Sequence, residues 1–196
     1  MAFRSFIAIE LEKSIKGSLD RLSRSLQDNE LVDHSIRWVR SESMHLTLKF
    51  LGDVEDQLIL ELSNKLTGMA SQFDPFDIEV AGLGCFPAAG AARVLWCGIS
   101  QGLEDLQALA EAIDIGTNEL GFALEGKKFS AHLTLARIKN AKTGHEVREF
   151  LEKQNGERDA PYSKIGCQSV TRIALIHSDL TRSDPIYTPM HHATLG

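Results

Sequence analysis

The apolar positions of this chain switch repeatedly between a period of two and a period near 3.6, and the switches mark its elements. Phe3 to Leu11 is apolar and β-prone, a predicted strand with Arg4, Phe6 and Ala8 on one face and Ser5, Ile7 and Ile9 on the other. Ile15, Leu19, Leu22 and Leu26 then recur at steps of four, three and four, the stripe of an amphipathic helix. Asp28 to Ser35 is mostly polar and reads as a loop. Ile36 to Val39 is a short strand, and Ser41 to Ser43 turns the chain into a longer one, Met44 to Leu51, which Gly52-Asp53 should end. Leu58, Ile59, Leu62, Leu66 and Met69 predict a second helix, capped by Asp53 or Asp56.

Phe76 to Val80 alternates cleanly and continues through Gly82 to Phe86; Pro87 to Gly90 is a turn, and Arg93 to Ile99 is the returning strand of a hairpin. Leu103, Leu106, Leu109, Ala110, Ile113 and Leu120 predict a third helix, stopped by Gly121. A strand from Phe129 to Ile138, a short helix from Gly144 to Gln154, a loop over Asn155 to Pro161 and a strand over Ser169 to Ile176 follow. Ile186 to Ala193 reads as a final edge strand, the position that tolerates Pro189. The order β-α-β-β-α-β-β-α-β-α-β-β, with no linker or low-complexity segment, predicts one α+β domain over 1–196. Its two pseudo-symmetric lobes would each be a mainly antiparallel sheet with helices on the outer face, leaving a groove between them.

The strand patterns contain one repeat. His45-Leu46-Thr47-Leu48 and His132-Leu133-Thr134-Leu135 are identical and stand a little under half the chain apart. In each, His and Thr share one strand face and the two leucines the other, so each strand buries Leu and presents His and Thr. Two such strands predict two histidines meeting across the groove.

Composition narrows the chemistry. The 196 residues are 43% hydrophobic and 24% charged with a net charge of −6, ordinary for a globular protein and without a general basic surface to wrap a long nucleic acid. A nucleic-acid substrate would be held at an end, by a few local cations. Cys85, Cys97 and Cys167 are scattered and form no CxxC, which argues against a disulfide framework or zinc ribbon and fits a reducing compartment. The N-terminal segment lacks a long apolar core and no later run would span a bilayer, so a cytoplasmic protein is expected.

Two facing imidazoles suit displacement at phosphorus, one taking a proton from the attacking water and the other giving one to the departing oxygen. Each Thr can aim its hydroxyl at a phosphoryl oxygen. No carboxylate joins either motif and HxT lacks metal-ligand spacing, so neither a metal nor another cofactor is expected.

The chain resembles the two-histidine (2H) phosphoesterases, and among them the RNA 2′,3′-cyclic phosphodiesterases historically called 2′–5′ RNA ligases. The resemblance rests on the paired motifs, extended to His45-Leu-Thr-Leu-Lys-Phe-Leu-Gly52 and His132-Leu-Thr-Leu-Ala-Arg137. Arg4 to Ile9, Arg37-Trp38-Val39, Gly82-Leu-Gly84, Phe86-Pro87, Arg93 to Trp96 and Tyr187-Thr-Pro189 are also similar. Ala131 departs from it, since relatives commonly place Pro before the second His. The resemblance implies metal-free hydrolysis of a 2′,3′-cyclic phosphate at an RNA end or nucleotide to the 2′-phosphate. His45 and His132 would be catalytic, with Thr47 and Thr134 on the phosphate. A monomer is expected. His45 is written as acid and His132 as base, an assignment the residues alone leave open.

Arg137 lies on the leucine face by strict alternation, unless a bulge or the strand end redirects it to phosphate. Lys49 has the parity of His45 and Thr47, although a solvated lysine is the plainer expectation. Phe6 and Trp38 can stack on a base, with core packing the plainer role. His34, His145, His177, His191 and His192 are expected at the surface, the last two on opposite strand faces. The same acid-base pair would also serve a 2′–5′ ligase; a non-catalytic RNA-end binder and a metallohydrolase are the alternatives from other classes.

Overall fold

Strands and helices begin and end close to where the hydrophobic period changes. The computed structural model describes residues 2–31, 33–154, 162–180 and 185–196. The strands are β1 (Ala2–Glu10), β2 (Ile36–Trp38), β3 (His45–Glu55), β4 (Phe76–Phe86), β5 (Val94–Gln101), β6 (His132–Ile138), β7 (Gly166–Val170), β8 (Arg172–Leu180) and β9 (Pro185–Thr194). The helices are α1 (Lys13–Ser25), α2 (Asp56–Ala70), α3 (Leu103–Asn118) and α4 (Ala141–Gln154). None of the described helices is long and apolar enough to cross a membrane.

The architecture is the expected α+β arrangement of two antiparallel sheets, ordered β3-β1-β8-β9 and β2-β6-β5-β4-β7. Helices α2 and α3 pack on the first sheet, α1 and α4 on the second. Two of them cross over. α1 leaves β1 of the first sheet to lie on β7 of the second, and α3 leaves β5 of the second to lie on β3 of the first. One hydrophobic core runs through both layers, including Ile7, Ile9, Leu46, Leu48, Leu133 and Leu135, all of them buried. A second, small cluster of Phe6, Ala8, Ala174 and Ile176 lies on the opposite face of the first sheet, with Tyr187 packed against it.

Several boundaries differ from expectation. β3 runs through Gly52, whose φ of 72° bends the strand without ending it, so Asp53 lies inside the strand and does not cap α2. The cap position is Glu55, whose side chain makes no capping hydrogen bond to the helix. Regular pairing of the second motif strand starts at His132, not Phe129, and α4 starts at Ala141, one turn earlier than Gly144. The strand expected over Ser169 to Ile176 is two strands in different sheets, β7 and β8, parted at Thr171. A continuous β-prone run carries no mark of where it changes sheet. The expected loop over 155–161 lies outside the described residues. β9 is an edge strand as expected, and its register slips beside Pro189, which has no N–H to give the ladder.

Candidate active site

Both motif strands carry the same irregularity. In β3, Thr47 pairs with Ala8 and Lys49 with Ile7, leaving Leu48 over; in β6, Thr134 pairs with Trp96 and Ala136 with Leu95, leaving Leu135 over. The extra residue is in each case the second Leu of His-Leu-Thr-Leu, a β-bulge repeated in both copies. A bulge reverses parity beyond it. His and Thr therefore keep the open face over buried leucines, while the residues that follow exchange sides. Phe50 and Arg137, each five residues after its histidine, come out exposed on the face of the Thr. The bulge thus turns Arg137 to the open face, opposite Val94 and beside Thr134.

Lys49 turns the other way, which corrects both readings of it. It neither shares the face of His45 nor reaches water; it is 2% exposed, with Nζ 2.5 Å from Oδ1 of Asp114 on α3.

The two imidazoles are anchored alike. His45 Nδ1 lies 2.9 Å from the Ser43 carbonyl and His132 Nδ1 2.7 Å from the Ser130 carbonyl. A carbonyl only accepts, so each Nδ1 is the donor and each Nε2 is left to act as base when neutral or acid when protonated. Each ring also meets an aromatic edge-on: Tyr187 at 5.0 Å and 87° for His45, Phe86 at 5.0 Å and 88° for His132. The environments differ in one respect. Phe6 stacks on His45 at 4.5 Å, and burial lowers the pKa of His45 to about 4, helped by the charges of Lys16 and His132, with the Ser43 carbonyl opposing. β3 and β6 lie against each other, so two strands of different sheets bring the imidazoles within electrostatic reach.

Tyr187 marks the same convergence. Burial raises the pKa of its phenol, while Arg137 from the second sheet and Arg4 from the first both act to lower it. Cations from both sheets therefore lie within electrostatic reach of Tyr187. Among the described residues, no three His, Cys, Asp or Glu side chains cluster as metal ligands.

Comparison with known proteins adds to this geometry. A family model described as LigT-like phosphoesterase matches residues 9–96. An RNA 2′,3′-cyclic phosphodiesterase of Methanothermobacter thermautotrophicus is 30% identical over 97% of this chain and 97% of its own. One of Aquifex aeolicus is 32% identical over 98% and 97%. The chain belongs to the LigT-like two-histidine phosphoesterases. A Thermus thermophilus crystal structure superposes with a TM-score of 0.78 at 25% identity, over 98% of this chain and 97% of that one. E. coli LigT complexed with 3′-AMP shares the fold with a TM-score of 0.74 at 24% identity, over 100% and 99%.

In this LigT-like phosphoesterase the remaining histidines stay away from the motifs. His191 bonds to Thr67 of α2 at 2.8 Å and His192 to Glu10 at 2.7 Å, on opposite faces as expected. His177 packs edge-on against Phe3, and His34 and His145 are exposed. Phe6, 2% exposed, is the bed of His45 and offers no surface to a base, and Trp38 packs against the core. Sequence reasoning missed Tyr187, Phe86 and Trp96 as neighbours of the histidines. They stand on strands other than the motif strands, and only sheet order and register bring them in.

Proposed function

We propose that this chain, as one bilobal monomeric unit, hydrolyses the 2′,3′-cyclic phosphate of RNA ends and nucleotides to a 2′-phosphomonoester by two-histidine acid-base catalysis. The observation that carries the reading is the matched anchoring of His45 and His132 through Nδ1, which frees both Nε2 atoms, on two strands that lie against each other. The names of the curated relatives support the substrate class.

In the proposed step, water attacks phosphorus in line with the bond to O3′. One imidazole takes the water proton as the P–O bond forms; the P–O3′ bond breaks and the other imidazole protonates O3′. Thr47, Thr134 and Arg137 bind the non-bridging oxygens, whose charge rises in the transition state. A pKa of about 4 makes His45 a poor proton source at neutral pH, so His45 is assigned as base and His132 as acid, the reverse of the order written from sequence. The test is incubation with a nucleoside 2′,3′-cyclic phosphate in EDTA, followed by phosphorus NMR. The 2′-monoester should appear at an undiminished rate. Activity lost in EDTA and restored by a divalent ion would defeat the proposal, as would a 3′-monoester product for the regiochemistry.

A further inference from the structure

The two histidines are held unequally. His45 lies under the stacked ring of Phe6, whereas His132 has no stacked ring among the described residues. It meets Phe86 edge-on at 5.0 Å, with Trp96 farther off at 6.4 Å and 59°. The orientation of His132 therefore leans on Phe86. Phe86 is the last residue of β4, its rung with Val94 closes the β4–β5 ladder, and a terminal rung is where a hairpin frays first. Beyond it the chain runs Pro-Ala-Ala-Gly-Ala-Ala over 87–92, without a side chain that could hydrogen-bond the loop shut.

The brace comes from α4. Arg148 donates from Nε to the Gly90 carbonyl at 2.6 Å, from Nη1 to Ala88 at 3.0 Å and from Nη2 to Pro87 at 2.7 Å. One planar fork thus spans three loop carbonyls, one of them on the residue that follows Phe86. The helix comes this close because residue 144 is Gly: a Cβ there would collide with the Ala92 carbonyl oxygen, and the Ala92 N–H donates to the Gly144 carbonyl at 3.1 Å. We propose that Arg148 is a positioning residue for the acid of the reaction. It holds the hairpin loop shut, the closed loop holds Phe86, and Phe86 holds the His132 imidazole toward the departing oxygen. The inference rests on the cyclic-phosphodiesterase reading and deepens it.

The test is a double-variant comparison on a nucleoside 2′,3′-cyclic phosphate. Arg148→Met should lower kcat about 10-fold and shift KM less than about 2-fold, because the acid is misdirected while the phosphate contacts stay. In a His132→Ala background the same substitution should change kcat less than about 2-fold, since the group it positions is gone. Arg148→Lys, which keeps the cation but not the fork, should fall between, and it serves the same comparison should Arg148→Met not fold. In proton NMR of the ligand-free protein, replacing Arg148 should move the His132 ring signals toward their positions in Phe86→Leu and leave those of His45 in place. Equal losses in both backgrounds, no loss, or unmoved His132 signals would overturn the proposal and leave Arg148 a brace of the loop alone. An unaltered protein without turnover would instead overturn the phosphodiesterase reading, and the imidazole spectra would still decide whether Arg148 sets His132.

Discussion

An imidazole does acid-base work near neutral pH only if its surroundings decide which form it takes, and His45 and His132 sit in surroundings that differ. Both give Nδ1–H to a carbonyl two residues back and both meet an aromatic edge-on, but His45 also lies under Phe6. Burial depresses its folded-state pKa to about 4, below the ordinary value of 6.5 that holds in the unfolded chain. Between those values the unfolded state binds more protons, so stability is present above about pH 6.5 and is lost as pH falls toward 4. The loss attributable to this residue by pH 4.5 is about 2–3 kcal/mol. Urea unfolding of the unaltered protein and His45→Ala at pH 7.5 and 4.5 checks it. The gap between the two should move in the variant's favour by about that amount on acidification; parallel pH curves would mean that His45 is not held neutral by burial.

At the scale of elements, the bulge after each His-Leu-Thr decides what the rest of the strand does. In β6 it brings Arg137 to the open face of Thr134; in β3 it sends Lys49 into the core, against Asp114 of α3. Asp114 also accepts the Glu125 N–H at 3.1 and 3.2 Å, in the segment that leads to β6 and His132. One carboxylate thus ties the first motif strand to the approach of the second. Lys49→Met leaves that carboxylate without its cation and should destabilise by roughly 3 kcal/mol, with Lys49→Met/Asp114→Asn recovering part of the loss. A loss well under about 1 kcal/mol in denaturant unfolding would put the pair in the class of surface bridges.

The whole molecule supplies what neither sheet has alone, one histidine from each sheet within electrostatic reach of the other, as the proposed mechanism needs. The rate on a cyclic phosphate should therefore be bell-shaped in pH, with limbs belonging to the pair and not to either residue. His45→Ala and His132→Ala should each lower turnover about a hundred- to ten-thousand-fold, and the double variant little further, because the two share one step. Full additivity, or a rate rising monotonically into strong alkali, would count against a shared acid-base step. Helices α1 and α3 cross between the two sheets that carry these histidines.

Much of this protein was legible along the chain. A period of two with Leu on one face and His and Thr on the other is a local property, so the motif strands and the α+β class followed from spacing and element order, and His45 and His132 were singled out by their repeat. The two-sheet arrangement followed from element order. What spacing cannot contain is register. The bulges at Leu48 and Leu135 exist because β1 and β5 pair with unequal lengths of their neighbours, and they decide that Arg137 comes out on the open face and Lys49 does not. The break at Thr171 is of the same kind, since a run equally good for either sheet is divided by its partners. So is the setting of the histidines: Phe6, Tyr187, Phe86 and Trp96 come from four other strands, and burial, which separates His45 from its ordinary pKa, is a property of the assembled sheets and of no single stretch of chain.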